Sequence, residues 1–212
     1  MFYAVLFIVE LIILYFISRS LSKLIFKIFD SLLHSRRRTM WLFSILFLPG
    51  TLIHELSHWL MATILFVPTG NIYIWPKLEE NKINLGHVEI GKSDIFRRFL
   101  IGIAPFITGL AIIFSTIYFL QNDLANPIAL IILGFLSFQI GNTMFSSKRD
   151  WQGAWMVILI FFAVILSLYV LNTPLHQILF TDQVSEIIKT ADVFLLVPIA
   201  IDLALVMLLK VL

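Results

Sequence analysis

The sequence lacks cysteine and is poor in charge. With no cysteine among its 212 residues, the chain forms no disulfide and offers no thiolate, so any metal ligands must be nitrogen or oxygen atoms. Asp, Glu, Lys and Arg together make up only 13% of the residues, whereas 60% are hydrophobic and the mean hydropathy is +0.98. Ordinary soluble domains carry about twice that share of charge. The composition therefore indicates a membrane protein.

Two further absences argue against a nucleic-acid partner and against a secretory signal. The net charge is only +2, and no basic surface interleaved with aromatic residues is evident, so a nucleic-acid partner is not expected. The first apolar stretch has no basic start and no small-residue cleavage site of the kind that marks a secretory signal. We therefore expect this stretch to be a retained helix.

Six apolar segments are long enough to form membrane helices. They predict an all-α polytopic membrane protein with about six transmembrane helices, organised as a single membrane domain over residues 1–212. Lys and Arg are nearly balanced between the two faces that this topology creates, so the sequence does not decide the orientation. The six segments, numbered one to six below, are 2–17, 40–67, 95–120, 127–147, 152–171 and 191–212.

Two connecting segments also carry a pattern. Between the first two helices, apolar residues recur at helical spacing beside lysines and an arginine run, which predicts an amphipathic helix over 20–38 that lies on the membrane surface. Between helices two and three, residues 69–93 contain two short runs with strand character separated by polar residues, which predicts a β-hairpin. Pro49-Gly50 predicts a kink in helix two.

Helix two contains the sequence HELSH. His54 and His58 are four residues apart, so both side chains project from one face with their Cβ atoms about 6 Å apart and can share a metal ion. Glu55 lies about 100° round the helix, a position expected of a general base that is not itself a ligand. Each ionisable group costs roughly 3 kcal/mol to insert in a bilayer, so three within five residues indicate a metal site more strongly than a polar helix contact.

A hydrolytic zinc site has three protein ligands and one open position. The other candidates for a ligand within the membrane are Glu10, Gln139, Asn142, Asp150 and Asp202. Helices two and four are expected to run in the same direction, so a residue near the end of helix four approaches the level of the histidines. Asp150 fits this requirement. The alternative for Asp150 is an acid at the membrane interface that pairs with Lys148 or Arg149.

These residues resemble the site-2 proteases, a family of zinc metalloproteases that cut substrates within the membrane. The family has HExxH on one membrane helix and an aspartate after a later helix, in a segment often written NxxPxxxLDG. Asn142 and Asp150 have the same eight-residue offset. GIAPFITG is similar to the GPxxN element of the family's middle helix, with Pro105 in place and Thr108 where asparagine is usual. The resemblance covers residues 40–153.

The resemblance implies a catalytic core over 40–153 that binds Zn²⁺ through His54, His58 and Asp150. Glu55 would activate a zinc-bound water for hydrolysis of a peptide bond in a single-span membrane protein, and Asn142 would bind the substrate backbone or the oxyanion. The alternative for Asn142 is a hydrogen bond between helices. The resemblance also implies an active site that opens toward the cytosol and a membrane-associated β-element that matches the predicted hairpin.

Three functions are compatible with the sequence. The first is an intramembrane zinc endopeptidase. The second keeps the zinc but acts on a lipid or a small amide, and the third is a catalytically silent membrane scaffold. A silent scaffold gives no reason to keep Glu55 beside two ligands. The hairpin favours a peptide substrate, because its free edge can pair with an extended polypeptide, although it can also act only as a plug against water.

Overall fold

The structure is a computed structural model that describes residues 2–79, 82–84, 86–120, 125–145, 150 and 181–211, together with residues 157, 159, 160, 162–164, 166 and 167. Outside the 157–167 stretch, these ranges hold helices α1 (Phe2–Leu33), α2 (Arg36–Leu46), α3 (Leu48–Ile64), α4 (Ile95–Leu120), α5 (Pro127–Thr143) and α6 (Asp182–Val211). The strands are β1 (Thr69–Tyr73), β2 (Lys77–Glu79), β3 (Lys82–Asn84) and β4 (His87–Ile90).

The long helices have the length and apolar composition of membrane helices. Three of them, α1, α4 and α6, are apolar and long enough to cross a membrane, and the bent pair α2–α3 counts as a fourth crossing if taken together. α5 is apolar but has only 17 residues. These helices indicate a membrane protein and confirm the predominantly helical fold. The predicted helix over 152–171 lies mostly outside the described residues, and those described within it are helical.

The first helix extends well beyond the predicted limit at residue 17. α1 continues without a break to Leu33, and His34 then takes a left-handed backbone conformation with φ of 49° before α2 begins. The expected separate surface helix over 20–38 is therefore divided between α1 and α2. Its apolar residues Leu21 and Ile25 are buried against α2 and α6, so the regular apolar stripe reflects packing against protein.

The predicted second helix is two helices that meet at a sharp bend. α2 and α3 join at Phe47 with an angle of 70° between them. Pro49 lies in the first turn of α3, where proline is tolerated because its missing N–H would have no helical partner. The bend is thus close to the kink that Pro49-Gly50 predicts.

Two apolar clusters hold the helices together. One combines residues of α1, α4, α5 and α6 with Met144, and the other joins α1 and α6 to the α2–α3 bend. Along α1 and α6 the clusters occur in the same order, with Leu14 and Leu195 in the first and Leu21 and Val206 in the second, so these two helices run parallel. Phe47, at the bend, is fully buried in the second cluster.

The predicted hairpin over 69–93 is present as two antiparallel pairs. β1 pairs with β4, with Ile72 opposite Val88, and β2 pairs with β3 further from the helices along the same hairpin. Ile90 packs against Ala62 near the end of α3 and Ile101 of α4, so the base of the hairpin is fixed to both helices. Trp75 contacts Trp41 of α2 with 5.6 Å between ring centroids.

Candidate metal centre

The two histidines of α3 face each other. His54 and His58 lie one turn apart, and their Nε2 atoms are 3.2 Å from each other. The rings meet edge to face with 4.8 Å between centroids. His58 is buried. The two Nε2 atoms point toward each other at the spacing that a shared metal ion requires.

The other nitrogen of each ring is held by a backbone carbonyl of a neighbouring helix. His54 Nδ1 donates to the carbonyl of Thr143 at 2.6 Å, and His58 Nδ1 donates to the carbonyl of Ile101 at 2.7 Å. A carbonyl only accepts hydrogen bonds, so each Nδ1 carries the hydrogen, and in a neutral ring Nε2 then presents a lone pair. Metal-binding histidines in proteins are oriented by this kind of hydrogen bond.

Asp150 completes a group of three. Its Oδ1 lies 3.5 Å from His58 Nε2, and the ligand atoms of His54, His58 and Asp150 all lie within 4.8 Å of one another. These are the three ligands that the sequence predicts. The alternative partners of Asp150, Lys148 and Arg149, lie outside the described residues.

The donor set fits a zinc ion. Two imidazole nitrogens and a carboxylate oxygen are ligands that zinc uses, and tetrahedral zinc with bonds near 2.05 Å separates its ligand atoms by about 3.3 Å. Two of the three separations, 3.2 and 3.5 Å, lie on either side of that value, and all three are within 4.8 Å. Acceptor atoms brought this close repel one another unless a cation or a proton lies between them. The arrangement is therefore one that a metal ion would stabilise.

Gly102 makes room for the third ligand. A Cβ atom at Gly102 of α4 would clash with the backbone carbonyl oxygen of Asp150, so the chain at Asp150 lies directly against the α4 backbone. The neighbouring residue Ile101 supplies the carbonyl that holds His58. One turn of α4 thus positions two of the three ligands. Sequence reasoning missed this role, although a glycine within a long apolar helix is a signal of close backbone contact.

Glu55 is buried beside the histidines and outside the ligand group. The chain at Gly86, just before β4, covers it, because a Cβ atom at Gly86 would lie 3.1 Å from Glu55 Cγ. The same Cβ atom would lie 2.9 Å from the carbonyl oxygen of Tyr73, the last residue of β1. Backbone of the β1–β4 pair therefore lies next to the predicted general base.

The structure places Asn142 against α6. Its Nδ2 donates to the carbonyl of Phe138 and to Asp202 Oδ1, both at 2.9 Å. Asn142 thus makes an interhelical hydrogen bond, which was the alternative to a role in substrate binding. Two other candidate ligands, Gln139 and Glu10, are also buried elsewhere, Gln139 at the α2–α3 bend and Glu10 on α1.

Comparison with protein-family models, with curated proteins and with solved structures gives no match to this chain. The resemblance to site-2 proteases therefore depends on the sequence motifs alone. The geometry of His54, His58 and Asp150 stands independently of it.

Proposed function

We propose that this protein is an intramembrane zinc endopeptidase that hydrolyses a peptide bond of a single-span membrane protein. The observation that supports this most is the convergence of two imidazole Nε2 atoms of α3 and the carboxylate of Asp150 among apolar helices, with each imidazole held by a backbone carbonyl. His54, His58 and Asp150 would hold the zinc. A bound zinc ion would polarise the scissile carbonyl and lower the pKa of its water to about 7.

Glu55 is assigned the proton transfers. As a carboxylate it accepts a proton while the water oxygen forms its bond to the scissile carbonyl carbon. It then donates that proton to the nitrogen as the C–N bond breaks, which releases an amine and a carboxylic acid. Burial of Glu55 beside the ligands and under the hairpin supports this role, since the surroundings keep bulk water away from the proton.

The hairpin is assigned substrate binding. A membrane helix hides its peptide bonds in its own hydrogen bonds, so cleavage requires an extended segment. Within the described residues, β1 and β4 pair with no other strand, and a two-stranded sheet of this kind can bind an extended peptide by strand addition. Deleting the hairpin is expected to abolish cleavage while zinc content stays normal, and undiminished cleavage would exclude strand addition.

We also propose a multi-pass topology with the hairpin and active site on the cytosolic side, as the resemblance implies. Because the chain has no cysteine, single cysteines introduced at Lys92 and at Arg37 can be labelled selectively in intact cells. Lys92→Cys is expected to resist an impermeant thiol reagent and Arg37→Cys to react with it. The reverse pattern would overturn this orientation.

The function is tested with Glu55→Gln and a matched control. Glu186→Gln changes the same residue type at an exposed position of α6. Wild type and both variants are expected to contain one zinc per chain. Cleavage of model single-span substrates is expected to fall by about 10²–10⁴-fold in Glu55→Gln and to stay unchanged in Glu186→Gln. A zinc-loaded wild type that leaves every such substrate intact, or a fully active Glu55→Gln, would overturn the proposal.

A further inference from the structure

The bend between α2 and α3 creates a hydrogen-bonding problem. A helix end leaves backbone carbonyls of its last turn and N–H groups of its first turn without helical partners. At Phe47 one helix ends and the next begins, and Phe47 itself is fully buried. In lipid surroundings no water is present to take the place of the lost partners. The backbone supplies some partners, since the Phe47 N–H donates to the Phe43 carbonyl and the Thr51 N–H to the Phe47 carbonyl. Buried side chains must supply the others.

Gln139 of α5 meets one group on each side of the bend. Its Oε1 accepts from the N–H of Gly50 at 3.2 Å, and its Nε2 donates to the carbonyl of Leu46 at 2.8 Å. The side chain is only 1% exposed. A primary amide offers a donor and an acceptor together without a charge, which is what this site requires.

The same part of α5 fixes α3 at a second point. One turn after Gln139, the carbonyl of Thr143 accepts from His54 Nδ1. Gly50 allows the close approach, since a Cβ atom there would lie 2.5 Å from Thr143 Oγ1 and 2.7 Å from the carbonyl oxygen of Gln139. α3 is thus tied to α5 at Gly50 and again one turn later at His54.

We propose that Gln139 is a positioning residue of the metal centre. By joining both sides of the bend, it sets the position of α3 along α5 and so determines where His54 and His58 stand relative to Asp150. Because Gly50 and His54 are one helical turn apart, a displacement at Gly50 also displaces His54. The inference rests on the proposed function in that it treats this group of residues as a working metal site.

The test compares Gln139→Leu with Ser137→Ala in the full-length protein. Leucine keeps most of the volume of glutamine but removes both hydrogen bonds. Ser137 is equally buried on the same helix, and among the described residues its hydroxyl has no hydrogen-bond partner, so its loss controls for a change of buried polarity. The probe is Co²⁺, whose visible absorption reports coordination geometry, together with metal affinity by chelator competition. Far-UV circular dichroism records whether each variant is folded.

Gln139→Leu is expected to bind Co²⁺ about 10–100-fold more weakly, the usual effect of losing a group that orients metal ligands, with an altered visible spectrum. Ser137→Ala is expected to match wild type in both. A folded Gln139→Leu with wild-type affinity and spectrum would overturn the inference while leaving the proposed centre intact. If Gln139→Leu does not fold, Gln139→Asn decides by the same criteria. A wild-type protein that binds neither Co²⁺ nor Zn²⁺ would overturn the centre and the inference together.

Discussion

Two regions of this molecule bury ionisable side chains in apolar helices, and they do so differently. At the candidate metal centre the outer nitrogen of each histidine has a backbone partner, and the remaining acceptors converge on one point. On α1 and α6 the carboxyl groups of Glu10, Asp192 and Asp202 are also buried. There, Glu10 Oε2, both oxygens of Asp192 and Asp202 Oδ2 have no hydrogen-bond partner within the described part of the chain.

The two regions differ in how they avoid an uncompensated charge in the bilayer. A buried charge must be paired, bound to a metal or removed by protonation. In the first region, the fixed tautomers leave the Nε2 lone pairs of both histidines close to the Asp150 carboxylate, so the region can bind a cation. In the second, these four carboxyl oxygens have no donor among the described residues to stabilise a charge, so we expect its acids to be neutralised by protons. The following variants separate these two solutions.

The largest effect is expected from removing a ligand. Asp150→Ala should lower zinc affinity by more than about 100-fold, because loss of a group that only orients a ligand already costs about 10–100-fold. Asp192→Ala removes the same type of side chain from the second region and should leave zinc affinity unchanged. Chelator competition on the two purified variants measures both values. Similar losses in the two variants would remove the distinction between the regions.

The next effect concerns the space beside Asp150. Gly102→Ala places a methyl group where the backbone of Asp150 lies, so the third ligand must move and zinc affinity should fall by about 10–100-fold. Gly134→Ala is the matched control, since a Cβ atom at Gly134 of α5 meets no described atom within 4 Å. The control should bind zinc normally and gain up to about 1 kcal/mol in helix stability. Equal zinc affinity in both variants would contradict the assigned role of Gly102.

A smaller effect is expected at Asp202. Its Oδ1 accepts from Asn142, while Asn142 Oδ1 and Asp202 Oδ2 are both buried acceptors without partners in the described ranges. Asp202→Asn keeps the acceptor and adds an N–H donor next to Asn142, so its free energy of unfolding should match or exceed that of wild type. Asp202→Ala leaves Asn142 with only its hydrogen bond to the Phe138 carbonyl and should cost about 1–3 kcal/mol. Denaturation in mild detergent compares the two, and a less stable Asp202→Asn would show that a charged Asp202 is required.

The smallest effect is expected at an exposed carboxylate. Asp94 precedes α4, where its Oδ1 accepts from the N–H of Arg97 at 3.0 Å and its Oδ2 lies 3.2 Å from Arg97 Nε. The backbone hydrogen bond, with the guanidinium charge, holds the pKa of Asp94 below its ordinary value of 3.8. The stabilisation is present above pH 3.8 and is lost as the pH falls below it.

Hydrogen exchange in the first turn of α4 should therefore quicken below pH 3.8 in wild type, relative to the rest of the helix. Asp94→Ala should show no such pH dependence. The effect should be small because the group is exposed to solvent. A first turn whose relative exchange is the same from about pH 5 to about pH 3 would contradict this account.

The sequence predicts much of the fold because each helix or hairpin depends on the composition and residue spacing of its own segment. The apolar segments predict most of the helices of the described ranges, and two short runs with strand character in 69–93 predict the hairpin. The boundaries are harder, since the apolar stripe of 20–38 has the same pattern whether it faces lipid or protein. Only the packing of Leu21 and Ile25 against α2 and α6 distinguishes these possibilities.

The candidate metal centre is likewise predictable from the sequence only in part. The i, i+4 spacing of His54 and His58 follows from helix geometry and can be read from the sequence. The carbonyls of Thr143 and Ile101, the space at Gly102 and the bridge made by Gln139 depend on contacts between distant segments. No local pattern carries that information. Gln139 is a candidate ligand in the sequence because it is polar within an apolar helix, and the structure gives it backbone partners instead.

The shortness of α5 has a consequence for the surrounding lipid. α5 has 17 residues, which corresponds to about 26 Å of helix against a hydrocarbon thickness of about 30 Å. α1, with 32 residues, is long enough to exceed that thickness. A bilayer can match a short helix by becoming thinner beside it. Where it does so next to α5, the water that the proposed hydrolysis consumes has less hydrocarbon to cross.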